Sequence, residues 1–307
     1  GIVVSTVHAE TIITVDVPTI SATGAVRLET SANTDASTGA DGSAAGTGDA
    51  TIGAGVALTF AHTINAAILP GTVVVTAHDV ALSSTVTADG ADHTGSFGAA
   101  ASSGAAGGNV SVAGSVAIAI VTTDTLAALY ATLHLTGGDV TIIAASDVAG
   151  TVTALPVGDG ASGTGDAGVG VSFVLVIDTH RTSALLTDGV VVTGARNVVL
   201  SAEAGDAVSA EARMGAKGGG VAVAPAISIV LSNVTTLARI GTGTLAATGD
   251  VRIHAAQHAS ADNSATAAAI ASDDAAVGIA FALTIANHTV TAVLGRSVTA
   301  GGNLTLE

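Results

Sequence analysis

The sequence predicts an all-β protein, a β-solenoid (β-helix) built from about six copies of a repeat near 54 residues long. Three observations support this prediction. Large and small side chains alternate as in strands, one strand signature recurs at a regular interval, and small or β-branched residues replace charged ones. Such a repeat cannot bury its apolar side chains alone, but stacked copies can bury them against one another.

The composition argues against several functional classes. Of the 307 residues, 49% are hydrophobic, 2% aromatic and 10% charged, where a typical soluble domain has about 25% charged residues. One Tyr, four Phe and no Trp cannot furnish a conventional aromatic ligand pocket, so we expect no enzyme. The net charge of −16 would repel phosphates, so we expect no nucleic acid partner. The absence of Cys excludes disulfides and thiolate metal sites, and it agrees with an extracellular bacterial protein.

One uncharged stretch, residues 218–238, has the length of a membrane-spanning helix. It contains Pro225 and several Ser, Thr and Asn residues, and its apolar residues alternate instead of running continuously. We therefore expect a strand here and no membrane span.

The first recurring signature is a pair of large aliphatic residues separated by one residue. Successive copies lie 54, 60, 58, 53 and 53 residues apart: Val26 and Leu28, Val80 and Leu82, Val140 and Ile142, Val198 and Leu200, Val251 and Ile253, Leu304 and Leu306. Asp or Asn precedes five of the six pairs, often after Gly, which is turn chemistry at the start of a strand.

A second signature lies upstream, where residues 173–185, 227–239 and 281–293 align without gaps at an offset of 54. Phe173, Ile227 and Phe281 correspond, and large side chains follow at every second position. Residues 56–60 and 116–120 keep the alternation, shifted by one residue. Because alternate residues of a strand face opposite sides, one face is bulky and the other nearly flat. We expect a ladder of Val, Ile and Leu to fill the interior, where aromatic rings would be hard to stack.

The third part of each repeat is a run of Ala, Gly, Ser, Thr and Asp, as in residues 34–50, 88–108 and 158–167. Because these runs recur at one place in the repeat, we expect turns and small-residue strands of the same stack. Residues 1–307 then form a single continuous array, either a fragment of a longer chain or a filament subunit. Two coils per repeat would give a rod on the order of 50 Å long at about 4.8 Å per coil. One coil and three coils per repeat remain alternatives.

Two short motifs connect these strands. An Asn-x-Thr motif follows the alternating strand at residues 233–238 and 287–292, and a Gly-Asp-Val strand occurs at residues 138–142 and 249–253. The chain resembles, over nearly all its length, the repeats of giant bacterial surface proteins of the filamentous-haemagglutinin-like and leukotoxin-like adhesin kind. The resemblance implies a secreted or cell-surface structural module of an adhesin, stalk or filament. Its partners would be neighbouring repeats or further copies, and no catalytic residue is transferred.

The alternative function is a solenoid that binds a glycan, ice or a host receptor along a flat face. Thr235 and Thr289 occupy equivalent positions, but no uninterrupted column of Thr crosses all copies. Enzymatic chemistry has less support, since Asp273 and Asp274 are adjacent and would point to opposite faces of a strand. Lys217 lies within the Gly-rich stretch of residues 214–220, which lacks the Gly-Lys-Ser/Thr ending of a phosphate loop.

Two columns of side chains are candidate metal ligands. Asp79, Asp139 and Asp250 recur at one place in the repeat, and oxygen-rich columns suit Ca²⁺. The alternative is a turn residue selected for backbone geometry, in which case no cofactor is required. A second column would contain His62, His180 and His288, with Glu10 and Asp124 in other copies, and could bind a transition metal or respond to pH. A shift of one residue would scatter this column over both faces.

Overall fold

The computed structural model describes residues 1–87, 92–163 and 165–307, and these ranges contain strands and no helix. The all-β prediction is confirmed, and nothing in the described ranges could cross a membrane as a helix. The strands follow one another as β1 (Ile2–Thr14), β2 (Thr19–Ser21), β3 (Ala25–Ala32), β4 (Ala36–Asp41), β5 (Ala44–Ala45), β6 (Ala50–Leu69), β7 (Val74–Ala77), β8 (Asp79–Val86), β9 (Gly95–Ala106), β10 (Val110–Leu129), β11 (Thr132–Leu135), β12 (Val140–Ser162), β13 (Ala167–Leu186), β14 (Val190–Ala195), β15 (Val198–Gly218), β16 (Val221–Ile240), β17 (Gly243–Ala247), β18 (Val251–Ala271), β19 (Ala275–Leu294), β20 (Val298–Ala300) and β21 (Leu304–Leu306).

The strands form three parallel sheets, and the chain visits them in the same order in every repeat. Sheet A has the order β1-β6-β10-β13-β16-β19, and sheet B has the order β2-β7-β11-β14-β17-β20. Sheet C contains β3, β8, β12, β15, β18 and β21, extended on one side by β4, β5 and β9. Each passage through A, B and C is one coil, numbered here from coil 1 to coil 6. The protein is therefore a β-solenoid with three sheets.

The pairing register confirms the repeat read from the sequence. Val26 pairs with Val80, Val140 pairs with both Val80 and Val198, and the later pairs follow in the same way. Since consecutive repeats hydrogen-bond directly, each repeat makes one coil, and the expectation of two coils is wrong. Six coils at about 4.8 Å give a stack on the order of 25 Å, half the expected length.

The small-residue runs belong to the stack, as expected. Residues 36–41 form β4, which pairs with β9, and β9 pairs in turn with β12. The uneven repeat length is absorbed locally, for example where the register of β12 against β15 shifts between Ala154 and Ala161. Residues 88–91 and Thr164 of these runs lie outside the described residues.

The interior has a bulky part and a thin part. Beside sheet B, a cluster of Leu, Val and Ile is fully buried, including Leu69, Leu129, Leu186, Leu200 and Ile253. Between sheets A and C the buried side chains are mostly Ala and Val, with Ala117, Ala226 and Val230 at 0% exposure. The expected aliphatic ladder therefore fills one part of the interior only.

The bulky columns of sheet A point outward, opposite to the expected interior ladder. In β13, Val174 and Val176 are buried while Phe173, Leu175 and Ile177 remain partly exposed, and β6, β10 and β16 show the same alternation. We call these columns the apolar face. Its members are Val56, Leu58, Phe60, Val116, Ile118, Ile120, Phe173, Leu175, Ile177, Ile227, Ile229, Leu231, Phe281, Leu283 and Ile285, with Ile2 and Val4 of β1 in the same register.

The thin interior explains this orientation. A Cβ added to Gly53 in sheet A would overlap the carbonyl oxygens of Gly104 and Gly42 in sheet C, so the two backbones approach closely there. Only small side chains fit between them, and their hydroxyl groups bond across the gap. The Ser172 Oγ donates to the Ala154 carbonyl at 2.7 Å, and the Thr59 Oγ1 donates to the Gly98 carbonyl at 2.6 Å.

Candidate functional site

The Asp and Asn residues that precede the sheet C strands form a hydrogen-bonded column. Each side chain accepts the backbone N–H of its equivalent in the next coil: Asp79 from Asp139 at 2.8 Å, Asp139 from Asn197 at 3.2 Å, Asn197 from Asp250 at 2.8 Å and Asp250 from Asn303 at 2.6 Å. The structure therefore places the candidate calcium ligands Asp79, Asp139 and Asp250 in one column, with Asn197 between the last two. These hydrogen bonds connect each coil to the next.

The chemistry of this column accounts for the Gly-Asp motif. A Cβ on Gly138 would overlap the carbonyl of His78 and the carboxylate of Asp79, so only Gly lets the next turn stack so closely. The Asp139 carboxylate also accepts a hydrogen bond from the Arg196 guanidinium, with Nη2 2.7 Å from Oδ2. Hydrogen bonds from Arg196 and from the Asn197 backbone lower the pKa of Asp139, although burial opposes them. These donors already occupy the oxygens that a calcium ion would need.

The candidate histidines do not form one column, because they lie on both sides of sheet A. His62 pairs with His8 and Thr122 on the outer side of sheet A, whereas His180 pairs with Thr123 and lies inside. His288 shares the register of His180 through Val234, while Asp124 pairs with Arg181 on the outside. Glu10 likewise lies on the outside, 3.0 Å from His8. The expected grouping is wrong because the copies are offset by one residue, and the described residues contain no group of three acidic or His side chains arranged for a metal.

The buried polar cluster is the most unusual chemical feature of the interior. His180 in β13 has Nδ1 3.1 Å from Asp206 Oδ2 in β15, and its Nε2 is 2.9 Å from Ser146 Oγ in β12. Thr182 Oγ1 lies 3.3 Å from the same Nε2. All four side chains are buried, so sheets A and C are tied together by polar contacts in their thin interior.

Asp178 adds a second carboxyl group to this cluster. Its side chain is fully buried, and neither oxygen has a hydrogen-bond donor among the described residues. Burial, followed by the charge of Asp206 and contact with it, raises the pKa of Asp178 to about 9. Asp178 is therefore protonated at neutral pH.

The order Ser146, His180, Asp206 is that of a nucleophile, a base and an orienting acid. Catalysis also needs a substrate next to the nucleophile and donors for an oxyanion. Ser146 is 5% exposed and His180 is 0% exposed. β12 pairs with β15 at Ser146, but on its other side the pairing with β8 ends at Ala145 and the pairing with β9 begins at Val148. The observed contacts of the cluster connect sheets A and C.

The two end coils expose surfaces that are buried elsewhere. Ala222, Ala226 and Ser228 of β16 are 0% exposed, but their partners in β19, Ala276, Ala280 and Ala282, are all exposed. At the other end, β1 pairs only with β6 and leaves its second edge open. These open edges and the apolar face are the largest candidate interaction surfaces of the described residues.

Sequence reasoning missed Asp178 because it took the bulky face of sheet A as the interior. On that assumption, every second residue from Ser172 to Thr182 would lie outside, where Asp and His are unremarkable. The available signal was the Gly content at the start of β6 and β13, which indicates closely spaced sheets. Closely spaced sheets require the small side chains to face inward. Ser146 and Asp206 lie in sheet C and continue the inward register of Val140 and Val198, which was not followed that far along the strands.

Comparison with protein families, curated proteins and solved structures finds no match to this chain.

Proposed function

We propose that this protein is a structural repeat module, a rod segment of an extracellular bacterial adhesin, stalk or filament. The observation that carries the proposal is the open edge at each end of sheet A. β19 pairs only with β16 and β1 pairs only with β6, so a further coil of the same kind can pair with either edge. The covering coil belongs either to a neighbouring repeat or to a second copy stacked end to end.

The surface chemistry supports a spacer. The outer side of sheet C carries charges of both signs, including Glu203, Glu211 and Arg213, and the net charge of −16 keeps rods apart where charged faces meet. The resemblance to adhesin repeats and the lack of Cys favour a cell-surface or secreted location.

Negative-stain electron microscopy and sedimentation velocity, over a range of concentrations, test end-to-end stacking. We expect rods several times longer than one six-coil segment, in calcium and in chelator alike. Particles that stay at single-segment length at every concentration would contradict end-to-end assembly.

A pair of variants isolates the end surface. Ala282→Lys with Ala286→Lys places charge on two inward positions of β19 that lie in the span where the β1 of a second copy would pair, and their β16 partners Ser228 and Ser232 are fully buried. We expect this variant to lose the long species. Asn287→Lys, an exposed outward change on the same strand, is the matched control and should keep them.

A further inference from the structure

The apolar face contains no charged residue at its outward positions. The outward positions of residues 52–60, 112–120, 169–177, 223–231 and 277–285 are occupied by apolar residues and Gly. The next column contains His62, Thr122, Thr179 and Asn233, and the following one contains the pair Arg181 and Asp124 at 3.4 Å. An apolar centre with a polar rim along one side is the usual anatomy of a protein interface.

The size of this face is also that of an interface. Five strands about 4.8 Å apart, each with a run of about eight residues at about 3.3 Å, span on the order of 500 Å², to which Ile2 and Val4 of β1 add a little. This lies in the upper part of the roughly 300–600 Å² range of the largest patch on a monomer, and it is a large share of the roughly 800 Å² that each partner buries in a standard complex. Exposure is high at its margins, with Ile52 at 69% and Phe281 at 50%.

We propose that two copies of this chain pair laterally, apolar face against apolar face. Both faces are flat parallel sheets with the same spacing of side-chain columns, so they can pack at about 10 Å as the two layers of a sandwich do. Two copies with a charge of −16 each repel one another, and the uncharged face is where approach costs least. The outer side of sheet C, with Glu203 and Glu211, lacks this property.

A lipid surface fits the same face less well. Anionic headgroups would be repelled by the net charge, and Arg181 is the one Lys or Arg in the two rim columns that the pairing defines beside the face. The chain has no Trp to sit at a membrane interface. The second copy is therefore the occupant that the charges favour.

Lateral pairing does not depend on end-to-end stacking, because the apolar face is parallel to the stack axis and the open edges lie at its ends. The test therefore starts from the variant Ala282→Lys with Ala286→Lys, which is designed to block stacking. In that background we expect a monomer–dimer equilibrium by sedimentation. Adding Leu175→Glu and Ile229→Glu at the centre of the face should weaken the dimer by about 100-fold, because the new charges would be buried.

Val199→Glu, an aliphatic-to-Glu change on the outer side of sheet C, is the matched control and should leave the dimer unchanged. Circular dichroism of each variant verifies the β structure. A chain that is monomeric at every concentration before the Glu changes overturns the proposal, and so does a dimer that survives them. Binding to phosphatidylcholine vesicles without dimerisation would assign the face to lipid instead.

A second measurement uses the lack of Cys in the native chain. In a two-fold face-to-face pair, Leu175 lies close to the centre of the contact, so Leu175→Cys should form an intermolecular disulfide on mild oxidation. Val199→Cys should not. Equal cross-linking of both variants would contradict the proposed pairing.

Discussion

His180 Nδ1 lies 3.1 Å from Asp206 Oδ2, and this contact joins sheet A to sheet C with both side chains at 0% exposure. Ser146, from the coil before, bonds the other ring nitrogen, so one imidazole links side chains from two adjacent coils. Each polar atom left without a hydrogen-bond partner in such an interior lowers the free energy of unfolding. Removing any one partner of this cluster should therefore lower the stability of the stack.

Asp178→Asn should change how stability depends on pH. The folded pKa of Asp178, about 9, lies above its ordinary value of 3.8, so the folded chain keeps a proton that the unfolded chain loses. This contribution is fully present below about pH 4 and is lost as the pH rises through about 9, at no more than about 1.4 kcal/mol per pH unit. Denaturant unfolding at several pH values measures the slope.

The Asn variant cannot ionise, so its free energy of unfolding should fall less steeply between pH 4 and pH 9 and exceed the native value at pH 8. Asp147→Asn removes an exposed carboxylate on the outer side of the same region and should follow the native profile. Superimposable profiles for Asp178→Asn and the native protein would show that Asp178 is already ionised in the fold.

Two Leu→Ala substitutions test which face of the solenoid is inside. Leu186 is fully buried beside sheet B, and Leu186→Ala should lower the free energy of unfolding by about 2–5 kcal/mol. Leu175 lies on the apolar face, and its surroundings are already partly open. Leu175→Ala should therefore lower the free energy of unfolding of the monomer by less than about 1 kcal/mol. Urea denaturation of both variants measures the difference. Equal losses would place Leu175 inside the stack.

Gly53→Ala tests the close approach of sheets A and C. The added methyl group would overlap the carbonyl oxygens of Gly104 and Gly42, so we expect a loss of about 1–3 kcal/mol from overpacking. Gly114→Ala is the matched control in the next strand of sheet A, because no atom lies within 4 Å of its added Cβ. In thermal unfolding, the melting temperature of Gly53→Ala should lie below that of the native protein. The melting temperature of Gly114→Ala should equal or exceed the native value.

Asp139→Ala should lower stability by about 1–2 kcal/mol, because the Asn197 N–H and the Arg196 guanidinium lose their acceptor. Asp139→Asn should cost less, since an amide oxygen can still accept the N–H, as Asn197 does for Asp250. Because the column uses its oxygens internally, the melting temperature should be the same in calcium and in chelator. A calcium-dependent shift that disappears in Asp139→Ala would instead identify an ion site.

The repeat, the strand positions and the parallel class could be predicted from the sequence. The aliphatic pairs at Val80, Val140 and Val198 stack in the register that their spacing predicts. Periodicity suffices here because equivalent residues of a solenoid lie next to one another and therefore evolve toward the same side-chain type.

The interior of sheet A could not be predicted in the same way. Alternation distinguishes two faces of a strand without saying which one is covered, and hydrophobicity favoured the face of Phe173 and Leu175. The distance between sheets A and C decides the matter, and it is set by contacts such as Gly53 with Gly104, which lie far apart in sequence. The number of coils per repeat could not be predicted either, because it depends on where the chain turns.

One coil per repeat sets the length that this protein can release under tension. A repeat of about 54 residues adds about 4.8 Å to the folded stack, but the same chain pulled straight spans on the order of 180 Å. Tension applied to an open edge such as β19 would peel one coil at a time, since β19 pairs only with β16. Each detached coil would span more than thirty times the length that it contributes to the folded stack.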